Sequence, residues 1–129
     1  MRTVGLKHYV LVDKRIIAID TLEEWMAHRI KHPNDDPLIE VTQVGDMTVS
    51  TVFLPIDHNH FSPGDPPILF ETMIFGGWLD EEQHRCSTYA EAEKMHAQWV
   101  REAEDVQKQL DKLALIATVC DLGLPAASS

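Results

Sequence analysis

Asp57-His58-Asn59-His60 sets a carboxylate and two imidazoles side by side, where a β-rich stretch gives way to a proline-rich loop. Oxygen and imidazole donors of this kind suit a divalent metal ion, and loops on rigid scaffolds often hold such groups. In an extended chain His58 and His60 share a face while Asp57 points the other way. Glu71, on the next strand-like run, and His84 beyond it could complete the set if their strands pair suitably. Neither an H-E-x-x-H helix nor a Cys/His finger spacing is present. The plainer alternative is that the histidines and Asp57 hydrogen-bond their own turn. Asp57, His58 and His60 are therefore candidate metal ligands, with no resident cofactor as the first expectation and a divalent ion as the alternative.

Glu71 interrupts the apolar run ILFETMIF. Counting by twos puts it with Leu69, Met73 and Phe75, opposite Phe70, Thr72 and Ile74. If the first set faces the core, Glu71 is a buried carboxylate in need of a partner. If the second set does, it is an edge or salt-bridged glutamate. Trp78 follows Gly76-Gly77 in a polar segment and is expected to be at least partly exposed, as binding-surface tryptophans are. Trp25 and Trp99 fall on apolar helical faces and are expected in the core. Asp57, His58, His60, Glu71 and Trp78 make up the candidate ligand-binding set, and no catalytic residue is assigned.

Phosphate loops, dinucleotide fingerprints and nucleophile elbows are missing from the sequence. Cys86 and Cys120 stand far apart, the pattern of reduced, buried thiols. Twenty-one acidic against 11 basic residues give a net charge of −10, with no positive stripe to track phosphates. Nucleic acid and anionic membrane are thus poor partners, whereas basic proteins, cations and cationic small molecules stay open. No apolar run approaches the roughly 18 residues of a membrane span, and no secretory signal is legible at the N-terminus. A cytoplasmic protein is expected.

The elements that must position these groups can be read along the chain. Residues 7–12 and 15–19 form a hairpin about Asp13-Lys14. Thr21 and Glu24 have capping-box spacing, and Leu22, Trp25, Met26 and Ile30 give the following helix one apolar face, ending near Lys31 before Pro33. Residues 38–44 and 47–56 form a second hairpin about Gly45-Asp46, its second strand kept partly polar by Thr48, Ser50 and Thr51, as on a face that meets water. Residues 57–67 are loop, 68–75 strand, and 84–87 a shorter strand. Thr88 and Glu91 open a long helix without proline or glycine through Leu122. Its start is expected to pack on the sheet through Tyr89, Ala92, Met95, His96 and Trp99.

Along that helix Trp99, Ala103, Val106, Leu110, Leu113, Ala117 and Cys120 alternate spacings of four and three residues, a heptad seam. A helix of about 30 residues is about 45 Å long, longer than the roughly 30–35 Å width of a domain this size. Its distal part should overhang, leaving Val106, Leu110, Leu113, Ile116 and Ala117 for a second copy to cover. The alternative is a break near Lys112 with the tail folded back.

Residues 49–100 resemble a group of small uncharacterised proteins of tailed phages and prophages. The resemblance is carried by STVFLPIDHNH (Ser50 to His60), GDPP (Gly64 to Pro67), LFETMIFGG (Leu69 to Gly77) and STYAEAEKMHAQWV (Ser87 to Val100). The group has no assigned activity, so the resemblance implies a phage-type accessory protein working in a bacterial host cell and supplies no catalytic residues.

The expectation is one α+β domain over residues 1–129, globular to about 105 with a helical extension over about 106–122. An antiparallel sheet of five to six strands is packed by two helices, the C-terminal one long. The function expected is non-enzymatic binding of a host protein or small ligand, in a homo-oligomer, most simply a dimer. The alternatives are a small metal-binding protein or metal-dependent hydrolase, and an oligomeric assembly protein.

Overall fold

Among the described residues, runs mostly rich in β-branched and aromatic residues build six strands, and two segments capped by Thr21 and Thr88 build the helices. The computed structural model describes residues 8–33, 37–56 and 66–121 of the chain. In order these form β1 (His8–Val12), β2 (Arg15–Ile19), α1 (Leu22–Lys31), β3 (Leu38–Val44), β4 (Met47–Phe53), β5 (Phe70–Phe75), β6 (Gln83–Cys86) and α2 (Tyr89–Asp121).

The strands do not form one sheet, as the sequence suggested, but two: the hairpin β1-β2 and a four-stranded antiparallel meander β3-β4-β5-β6. Pro55 accounts for the division. It brings no N–H to a ladder, and β4 stops at Phe53, three residues short of the expected Ile56. The hairpin meets the larger sheet there instead, through Tyr9 N–H to the Pro55 carbonyl (2.8 Å) and an isolated His8–Ile56 bridge.

Turn chemistry fixes the ends. Asp13 and Lys14 both adopt positive φ, the mirror-image turn that suits a two-residue hairpin. Gly45 turns β3 into β4 at φ +58°, and a side chain there would run into that of Gln107 on α2. Thr21 accepts a hydrogen bond from the Glu24 N–H, starting α1 (3.1 Å). At α2 the capping box is complete: Glu91 N–H donates to Thr88 Oγ1, and Thr88 N–H to Glu91 Oε1, each at 3.1 Å.

α2 lies across one face of the four-stranded sheet through Ala92, His96 and Ala103, all buried. β4 presents Met47, Val49, Thr51 and Phe53 to it, and β5 presents Phe70, Thr72 and Ile74. Thr51 thus corrects the sequence reading: Thr48 and Ser50 occupy the open face, while Thr51 is fully buried under the helix. α1 corrects it too. Trp25 is half-buried, but Leu22, Met26 and Ile30 are exposed and no α1 residue is buried. Among the described residues this ten-residue helix rests mainly on the small hairpin, which has too little surface to cover its apolar side. α2 is continuous for 33 residues, so the alternative of a break near Lys112 does not hold. Among the described residues, no helix is long and apolar enough to cross a membrane.

Candidate functional site

Asp57, His58, Asn59 and His60 lie outside the described residues. Glu71 is settled by strand polarity. Phe70, Thr72 and Ile74 take the core side, so Glu71 stands on the open face. There Arg85 Nε binds its Oε2 at 3.0 Å, and Gln83 Nε2 donates to the same oxygen. It is the salt-bridged glutamate of the two alternatives. His84 cannot join it. Glu71 pairs across the sheet with Arg85, whereas His84 pairs with Thr72, and paired residues share a face. His84 therefore points to the α2 side, stacked on Trp99 with ring centroids 4.2 Å apart. Among the described residues no group of three or more His, Cys, Asp or Glu side chains is placed to hold a metal ion.

The polar centre of the protein lies elsewhere, around a histidine that the sequence placed only as a packing residue. Register carries a line of polar side chains across the covered face: Glu40 opposite Thr51, Thr51 opposite Thr72, Thr72 opposite His84. His96 of α2 sits on this line, 2% exposed. Its Nδ1 lies 2.8 Å from Thr51 Oγ1 and its Nε2 lies 2.9 Å from Thr42 Oγ1. The Thr51 hydroxyl is in turn 2.5 Å from that of Thr72, and Glu40 Oε2 stands 3.7 Å from the ring. Burial lowers the His96 pKa below its ordinary value, against the weaker upward pull of the Glu40 carboxylate.

A hydroxyl, an imidazole and a carboxylate in sequence resemble the parts of a nucleophilic triad. Here the hydroxyls of Thr51 and Thr72 are sealed beneath the helix, where no substrate reaches them. The network splits the core instead. On one side Tyr9, Phe53, Leu69, Phe70 and Ala92 cluster; on the other, Met47, Val49, Ile74 and Ala103. The available sequence signal was the threonine alternating with inward-facing apolar residues on both β4 and β5.

The Cys86 thiol is not set up as a nucleophile. Burial and the Glu91 carboxylate push the Cys86 pKa up to about 11, so it stays a thiol at neutral pH. Cys120 is exposed on the last turn of α2; the expectation of a buried thiol fails there because the helix has left the sheet.

Large apolar side chains stand open at Trp78 and along the end of α2. Trp78 is 74% exposed, on a turn held by Gly76 N–H to Asp80 Oδ1 (2.6 Å) and Glu81 N–H to the Ile74 carbonyl (2.8 Å). The seam of α2 changes character along its length. Val106, expected to be uncovered, packs against the Met47–Val49–Ile74 cluster of its own sheet, and Leu110 is partly covered. Beyond Gln107, which reaches the β3–β4 turn at Gly45, the helix passes the end of the sheet. Leu113, Leu115 and Ile116 are 61, 66 and 59% exposed, and Ala117 is exposed with them.

A groove of about 560 Å³ opens between the hairpin, α1 and the end of β4. Tyr9, Val10 and Phe53 form its nearly buried floor, Trp25 and Leu54 its walls, and His28 and Arg29 of α1 its polar edge. Trp25 is positioned by a tilted ring contact with His8, centroids 5.7 Å apart. The sequence reading missed this groove because its walls come from three segments that no local pattern relates. Comparisons with protein-family models, with curated proteins and with solved structures return no match to this chain.

Proposed function

We propose that the protein is a non-enzymatic binding protein that works as a homodimer joined through the distal half of α2, an accessory protein of phage type that engages a host protein or a small ligand. The observation that supports this reading is the run of large apolar side chains on α2 past the end of its own sheet. The residues after Gln107 extend the helix by about 20 Å at 1.5 Å per residue. Leu113, Leu115 and Ile116 are each more than half exposed there. Full burial of a side chain of this size is worth roughly 1.5–3 kcal/mol, and a second copy offers the matching seam by symmetry. An acidic surface suits a basic partner: residues 80–105 hold eight acidic and three basic side chains.

Light scattering tests the assembly. The full chain should show twice the protomer mass, and a chain ending at Lys108, which keeps the α2 residues of both core clusters, should show one. Equal, monomeric masses would sink the reading.

A further inference from the structure

We infer that His96 is an acid-released latch: a neutral imidazole carrying its proton on Nε2 fastens α2 to the sheet, and a second proton, on Nδ1, undoes the fastening. The hydrogen-bond pattern runs in one direction. Thr72 is 1% exposed, and among the described residues its hydroxyl meets a single partner, the Thr51 hydroxyl at 2.5 Å. A buried hydroxyl tolerates an idle lone pair far better than an undonated hydrogen, so Thr72 donates to Thr51. Thr51 is fully buried, and its own hydrogen then goes to His96 Nδ1, 2.8 Å away. Nδ1 is therefore an acceptor. The ring proton sits on Nε2, which donates to Thr42 Oγ1 at 2.9 Å with the Glu40 carboxylate 3.7 Å away. A carboxylate on that side favours a ring N–H over a bare lone pair.

A proton arriving from solvent at Nδ1 turns that acceptor into a donor. Thr51 must then reverse and donate to Thr72, and the Thr72 hydrogen is left in a dry core with nothing to receive it. The charged ring would itself be 2% exposed, with Glu40 of β3 the carboxylate within ion-pair reach among the described residues. The other elements around it compensate little. β4 and β5 present Thr51 and Thr72, and β6 presents His84, which pairs with Thr72 and stacks on Trp99. One turn away on α2, Glu93 points to solvent. Burial holds the His96 pKa below 6.5 for the same reason. The charged ring reaches water when the middle of α2 lifts, so proton uptake and release go together. The sheet's own ladders make no use of His96 and can outlast the release.

Two measurements on the full chain test the latch. In a long-range ¹H–¹⁵N correlation spectrum of the histidine rings at pH 7.5, His96 is identified by its absence from His96→Gln and should show the Nε2–H tautomer. The Nδ1–H tautomer, or the mixture of a free imidazole, would overturn the wiring. Amide hydrogen exchange reads the release. Corrected for the intrinsic pH dependence of exchange, the opening constant of the amides over residues 93–103 should rise about tenfold per pH unit below 6.5, until the folded-state pKa is reached. The β4–β5 ladder amides should keep their protection through that range. In His96→Gln the side-chain amide can still accept from Thr51 and donate to Thr42 but takes up no proton, so α2 should stay seated as pH falls. Helix and sheet amides opening together would reduce His96 to a contribution to global stability. The same pH dependence in His96→Gln would assign the release to another group. Either result ends the proposal. Neither readout depends on α2 pairing with a second copy, because residues 93–103 lie in its sheet-packed half.

Discussion

His96 is held by hydroxyl groups on both ring nitrogens and by almost no solvent, so its charge state is tied to the folded structure. The groups facing it are Glu40 from β3, Thr42 from β3, Thr51 from β4 and, through Thr51, Thr72 from β5. Its folded pKa lies below 6.5. Between that value and 6.5 the unfolded chain binds more protons than the folded one, so stability falls as pH is lowered through this window and levels off above it. Urea denaturation should therefore give a higher midpoint at pH 7.5 than at pH 5.5. His96→Gln should flatten that difference by removing the titrating group. An unchanged slope in the variant would assign the pH dependence to other residues. Glu71 teaches the complementary lesson. Its face was undecidable from alternation alone, because both faces of ILFETMIF are apolar apart from one polar residue each.

At the scale of elements, close approaches between turns and α2 decide where the sheet ends. Gly45 and Gly76 both require positive φ, and each meets another segment: Gln107 above Gly45, and the Asp46 carbonyl beside Gly76. Gly76→Ala would combine a left-handed strain of about 1–2 kcal/mol with a clash against backbone, which cannot move aside as a flexible side chain can. The expected loss is about 2–3 kcal/mol, read as a lowered denaturation midpoint with unchanged m-value. A loss under about 0.5 kcal/mol would show that the β4–β5 edge is looser than the geometry requires. The elements themselves were largely legible. Residue order, both N-caps and the strand and helix sequence follow from local turn and capping chemistry, and α1 matches its expected span. The sheet division was not legible, since it depends on how Pro55 meets Tyr9 across 46 positions of chain.

For the molecule as a whole, the polar network and the overhang act together. Sliding α2 along the sheet would strand both ring nitrogens of His96, which bond Thr51 and Thr42, so the network holds the helix in one register. That register places Gln107 at the end of the sheet and commits the following turns to solvent or to a partner. The proposed dimer predicts that Leu113→Glu combined with Ile116→Glu yields a protomer-sized particle by sedimentation where the unaltered chain gives twice that mass. Its unfolding midpoint as an isolated protomer should change little, because both side chains are exposed within one copy. A dimer that survives both charges would move the interface elsewhere, with the exposed face of α1 at Leu22, Met26 and Ile30 the next place to look.

What the sequence determined by itself was local: capped helices, the positions of the hairpin turns, and a helical seam running on past the residues that pack on the sheet, its continuity near Lys112 left open. These depend on neighbours a few residues apart, whose spacing is written in the chain. Tertiary structure alone decided that Thr51 meets both His96 and Thr72, that Glu71 and His84 lie on opposite faces, and that the hairpin, α1 and the end of β4 enclose a groove. Those outcomes turn on strand register and on which face the helix covers, and a shift of one residue would reverse them.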